Sequence, residues 1–139
     1  MNAPNFCLKE LTSRSEVRLS DFKGKPVMLT FWVSWCPDCQ KDLPHKETFY
    51  RSLDKSKLSF LTINVTGREV DPEAGARFAK EHGLPFPVLL DDGTKTYDAF
   101  KCGSVPTTIL IDREGRIVHQ FGDKASFSEI IQALSSMMP

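Results

Sequence analysis

The chain has 139 residues, 40% hydrophobic and 26% charged, which suits one core and a single domain spanning residues 1–139. Its 18 Lys and Arg balance 18 Asp and Glu, so its net charge favours neither nucleic acid nor an anionic membrane surface as a partner. No apolar run approaches the ~20 residues of a membrane-spanning helix, and Met1-Asn2-Ala3-Pro4 leads almost directly into patterned sequence, with no signal peptide visible.

Residues 5–20 read as two short edge strands, with Phe6 and Leu8 in the first and Val17 and Leu19 in the second. The turn-like Thr12-Ser13-Arg14-Ser15 separates them, and Ser20 is placed to cap a short turn over Asp21-Phe22. After the loop Lys23-Gly24-Lys25-Pro26, residues 27–33 are nearly all apolar, the mark of a strand buried on both faces. A helix-like run from Gln40 to Leu53 follows, with Leu43, Phe49, Tyr50 and Leu53 on its apolar face and Pro44 expected to kink it. A second core strand spans Leu58 to Val65. Asp71-Pro72-Glu73 then opens a helix, with Asp71 as N-cap, Pro72 in the first helical position and Gly83 as the stop. Phe86 to Leu90 reads as a short strand, and a short helix carrying Tyr97 and Phe100 ends at Gly103. Val105 to Ile111 is a strand that begins with Pro106, and Arg116 to Phe121 returns as its hairpin partner. Ser126 and Glu129 form a capping box for a last helix carrying Phe127, Ile130, Ile131, Leu134, Met137 and Met138. Strands alternate with helices and a hairpin closes one edge, so the expected class is α/β, a mixed sheet flanked by helices.

Cys36 and Cys39 sit where the buried strand hands over to the first helix. The first-turn N–H groups of a helix have no partners within it and its dipole is positive there, so a thiolate is stabilised at that point. Cysteines at i and i+3 share one helix face and can close and reopen a small disulfide. Cys36 is expected to be exposed and Cys39, one turn further in, buried. Pro37 suits the first helical turn. Asp38 suits the helix N-terminus, but its charge opposes thiolate formation at Cys36. The competing reading of the pair is half a zinc site, but Cys7, Cys102, His45, His82 and His119 are scattered without a second paired spacing.

The chain resembles the thioredoxin superfamily, and within it the TlpA/ResA-type thiol-disulfide oxidoreductases. The resemblance rests on Ala3-Pro4-Asn5-Phe6, Leu19-Ser20-Asp21-Phe22-Lys23-Gly24-Lys25-Pro26, Phe31-Trp32-Val33-Ser34-Trp35-Cys36-Pro37-Asp38-Cys39, Pro44, Phe86-Pro87-Val88 and Val105-Pro106-Thr107-Thr108. It implies a thioredoxin fold with an N-terminal β-hairpin and a central strand-helix insertion between residues 58 and 85. It also implies that Cys36 attacks and Cys39 resolves, exchanging disulfides with partner proteins, in the direction of reduction. Trp35, Pro37, Asp38, Val105, Pro106 and Thr107 would form the substrate-binding surface, with a cis Val105-Pro106 bond beside the Cys36 sulfur. No metal or organic cofactor is called for. Electrons would come from an upstream dithiol protein, and the protein is expected to act as a monomer. The resemblance favours an extracytoplasmic bacterial location over a cytoplasmic one.

Three departures stand out. The position of the buried aspartate of ordinary thioredoxins is Thr30, the dipeptide between the cysteines is Pro37-Asp38, and Cys102 lies outside the family pattern. Peroxiredoxins place Thr or Ser three residues before the reactive cysteine and Pro seven before. Those positions are Val33 and Leu29 here, which counts against a peroxidase. TlpA/ResA-type proteins carry a glutamate just after the second core strand. Glu69 is the acidic residue there, either taking up the Cys39 proton or lying at the surface paired with Arg68 or a lysine. The alternative to an enzyme is a thioredoxin-fold binding module that holds partners without turnover.

Overall fold

A computed structural model describes residues 1–138. Its centre is β3 (Val27–Trp32), six residues all buried, as a run of Val, Met, Leu, Thr, Phe and Trp demands. β3 is covered on both edges. β4 (Ser59–Asn64) runs parallel to it, from Val27 opposite Ser59 to Trp32 opposite Asn64. β6 (Thr107–Ile111) runs antiparallel, from Val27 opposite Ile111 to Phe31 opposite Thr107. With β1 (Cys7–Glu10), β2 (Glu16–Arg18), β5 (Val88–Leu90) and β7 (Ile117–Phe121), these form a seven-stranded mixed sheet in the order β2-β1-β5-β4-β3-β6-β7. The amino-terminal hairpin therefore extends the sheet beyond β5, and the β6–β7 hairpin closes the other side.

Four helices flank the sheet: α1 (Pro37–Ser52), α2 (Ala74–Glu81), α3 (Lys95–Ala99) and α4 (Phe127–Met137). α1 carries Pro37 at its start and Pro44 within it. The capping box of α4 forms as expected: the Ser126 hydroxyl accepts the Glu129 amide and the Glu129 carboxylate accepts the Ser126 amide, each at 3.1 Å. Other boundaries differ from the sequence reading. Leu19 is not in the second strand but opens a 3-10 turn over Leu19–Phe22, whose N-cap is Arg18 and not Ser20. α2 starts at Ala74, because the Asp71 carboxylate accepts the Glu73 amide at 2.9 Å and fixes a turn ahead of the helix. α3 ends at Ala99, capped by Phe100 and followed by Lys101, left-handed at φ 55°, before Gly103 is reached.

Packing of α2 onto the sheet depends on one small residue. A Cβ at Gly75 would collide with the side chain of Asn64 at the end of β4. With hydrogen there instead, the helix settles close enough for Phe78 to meet Trp32 at 5.8 Å between ring centroids.

Candidate active site

β3 delivers the chain to Ser34 and Trp35, and Cys36 is the N-cap of α1, with extended φ/ψ. Its carbonyl accepts the Gln40 amide at 3.0 Å, the first bond of the helix, and the Gln40 side chain donates back to the Ser34 carbonyl at 2.9 Å. Both cysteines are free thiols. Cys39 is 0% exposed, and burial, chiefly, pushes its thiol well above the ordinary value. Cys36 is only 7% exposed, a correction to the open sulfur expected from the sequence. The reason comes from far along the chain: the Val105-Pro106 peptide is cis, and the Cys36 thiol donates to the Val105 carbonyl at 3.5 Å.

Around this pair, Trp35 is 49% exposed, with its indole N–H donated to the Arg68 carbonyl at 2.8 Å. Pro37 is exposed and Asp38 half-buried. Val105, Pro106 and Thr107 are buried, and the Thr107 hydroxyl is spent on the Ser104 carbonyl at 2.6 Å.

Glu69 lies in the turn after β4 and faces inward. Its carboxylate accepts the Ser34 amide at 2.7 Å, the Ser34 hydroxyl at 2.6 Å and the Asn64 side-chain amide at 2.7 Å. Arg68 turns away from it, donating to the Tyr97 hydroxyl at 2.7 Å and lying over that ring. The surface ion pair with Arg68 considered from the sequence is thus replaced by a bracket around the segment that leads to Cys36. Of the residues expected at the site, Cys36, Cys39 and Val105 meet directly, and Glu69 reaches the same segment through Ser34.

Sequence reading missed Lys46 and its partner Asp42. Lys46 is 0% exposed and donates at 2.6 Å both to Asp42 and to the Thr108 hydroxyl. Spacing held the signal. Leu43, Lys46 and Tyr50 form one helical stripe, so a lysine stands where an apolar residue is due.

A thioredoxin-type sheet with a Cys-X-X-Cys pair at the mouth of its first helix is the apparatus of a thiol-disulfide oxidoreductase, and that is the class of this protein. It belongs to the AhpC/TSA family, whose model matches residues 1–120. It is similar to the thiol-disulfide oxidoreductase ResA of Geobacillus thermodenitrificans, 34% identical over 137 residues, covering 99% of this chain and 76% of that one. ResA of Bacillus subtilis is 37% identical over 117 residues, covering 84% of this chain and 63% of the relative. Among solved structures, the exposed lipoprotein thioredoxin of Streptococcus pneumoniae superposes with a TM-score of 0.80 at 29% identity, over 96% of this chain and 99% of that one.

Proposed function

We propose that the protein reduces disulfides in partner proteins, with Cys36 as attacking thiol and Cys39 as resolving thiol. One observation carries the reading: Cys36 is the helix N-cap and keeps 7% of its surface exposed, while Cys39 lies wholly buried one turn behind it. The Cys36 thiolate attacks a substrate disulfide, forms a mixed disulfide and releases one substrate thiolate, which takes a proton from solvent. Cys39 then loses its proton and attacks the Cys36 sulfur. The Cys36–Cys39 bond forms, the bond to the substrate breaks, and the second substrate sulfur leaves with the electron pair and ends with the proton of Cys39. A dithiol protein restores the reduced pair, and no metal or organic cofactor takes part.

Trp35, Pro37 and Asp38 supply the outward surface against which the substrate lies. The backbone of Val105, Pro106 and Thr107 supplies the inner wall, in the manner of strand addition at a sheet edge. Glu69 holds the Ser34 segment in register and passes the Cys39 proton on through water. The protein works as a monomer outside the cytoplasm, and its likeness to an exposed lipoprotein thioredoxin supports that location.

The test is insulin reduction driven by dithiothreitol. Wild type accelerates it; Cys36→Ser returns it to background, and Cys39→Ser accumulates mixed disulfides at Cys36. A binding module without turnover leaves the rate at background in wild type as well. Trapping by Cys36→Ser and not by Cys39→Ser reverses the two roles. For Glu69, the pH profiles of wild type and Glu69→Gln are compared, and superimposed profiles remove it as proton carrier.

A further inference from the structure

Cys39, Asp42 and Lys46 stand at i, i+3 and i+7 on α1, on the side that faces the sheet. Long helical side chains lean toward the helix amino terminus, so Lys46 reaches back over Asp42 in the direction of Cys39. Its ammonium is held by Asp42 and by Thr108 of β6, both at 2.6 Å, and it sees no solvent. Asp42 keeps 13% of its side chain exposed.

We propose that Lys46, anchored by Asp42 and Thr108, is the positioning charge that stabilises the Cys39 thiolate as it attacks the mixed disulfide. The inference rests on the role given above to Cys39. Coulomb interactions are mutual. Burial destabilises the Lys46 ammonium, while Asp42 and an ionised Cys39 both favour it, so the ammonium in turn favours an ionised Cys39, against the burial and the neighbouring groups that raise that thiol. Asp42 acts on Cys39 in the opposite sense, raising it, as does Cys36. On the neighbouring strands, Thr108 of β6 receives the ammonium, and Thr30 of β3, opposite Thr108 in the register, keeps a buried hydroxyl without a partner. Of the other carboxylates near the dithiol, Glu69 is turned to Ser34 and Asn64, and Asp38 stands half-buried between the two cysteines in the first turn of α1. The lysine supplies charge alone. The proton of Cys39 still ends on the leaving sulfur, and no further oxidant or reductant enters.

The experiment uses the full chain with Cys7→Ser and Cys102→Ser, so that only the dithiol reacts with Ellman's reagent. The first thionitrobenzoate released reports attack by Cys36, and the second reports attack by Cys39. Lys46→Met, which fills the lysine's volume, is expected to move the pH midpoint of the second release upward and to slow it about tenfold per unit of that shift below the midpoint. The first release should stay within about twofold, because Cys36 is governed by the helix end and not by Lys46. Lys46→Arg keeps the charge and should return the second profile toward wild type, and Lys46→Gln provides the neutral comparison should Lys46→Met fold poorly. Superimposed second-release profiles for wild type and both neutral variants, or equal slowing of both releases, would overturn the proposal. Absence of any second release in the Lys46 parent would instead overturn the role of Cys39, and this inference with it.

Discussion

The two flanks of β3 treat a carboxylate in opposite ways. On the β4 flank, Glu69 is surrounded by neutral donors, the Ser34 amide and hydroxyl and the Asn64 amide, and its three bonds fix the path of the chain into Cys36. On the β6 flank, Asp42 faces a buried ammonium that also donates to Thr108, on the helix face that carries Cys39. The first arrangement holds geometry and the second holds potential. Under the roles proposed above for Cys36 and Cys39, the dithiol uses both.

The sharpest way to break the comparison is to unbalance the buried side. Asp42→Ala strands the Lys46 ammonium without its counter-ion, which is expected to cost about 3–5 kcal/mol in denaturant unfolding. Lys46→Met leaves Asp42 with a path to water and should cost far less. Equal losses from the two would mean that the pair matters through packing and not through charge. Next in size is the wall behind the other flank. Gly75→Ala drives a methyl into Asn64, and the shift needed to relieve it should cost about 1–3 kcal/mol. Its unfolding midpoint should fall, and the Ser34 amide should lose hydrogen-exchange protection. Glu69→Gln keeps the shape but offers one acceptor oxygen for three donors, so about 1–3 kcal/mol is expected for the groups left unpaired. An unchanged unfolding midpoint would show that the bracket around Ser34 carries no strength.

How much of this is legible in the sequence divides along the same line. The strand-to-helix handover at Cys36, the buried run of β3 and the capping box at Ser126 are local patterns, and each forms where the sequence predicts. The cis bond before Pro106 was legible from Val-Pro-Thr. The cover over Cys36 was not, because it comes from Val105, far along the chain. Lys46 was overlooked because lysine on a helix is ordinarily solvated, and the hydroxyl that receives it, Thr108, belongs to a strand in the distant second half of the chain. The contacts of Glu69 were hidden for the same reason, since Ser34 and Asn64 become its neighbours only when β3 and β4 pair.

An effect confined to alkaline pH lies away from both flanks. Burial pushes the Cys102 thiol up to about 12 from an ordinary 9.0. Since the folded value is the higher one, this thiol contributes stability below pH 9 that is lost as pH rises from about 9 to about 12. Unfolding free energies of wild type and Cys102→Ala should therefore converge across that window. A constant difference would show that the thiol ionises equally well in the folded and unfolded chain.

The order of strands in the sheet also sets an order in time. β1 takes its place only against β5, with Lys9 opposite Leu90 and Glu10 opposite Leu89. During synthesis the amino-terminal hairpin emerges first yet has no sheet to join until β5 has left the ribosome, and β3 keeps one edge bare until β6 follows. Nascent chains stalled before residue 88 would thus carry a finished dithiol motif on an unfinished sheet, with Cys7 dangling on the detached hairpin. A protein that handles other chains' cysteines is for that interval itself a client in need of keeping its thiols apart.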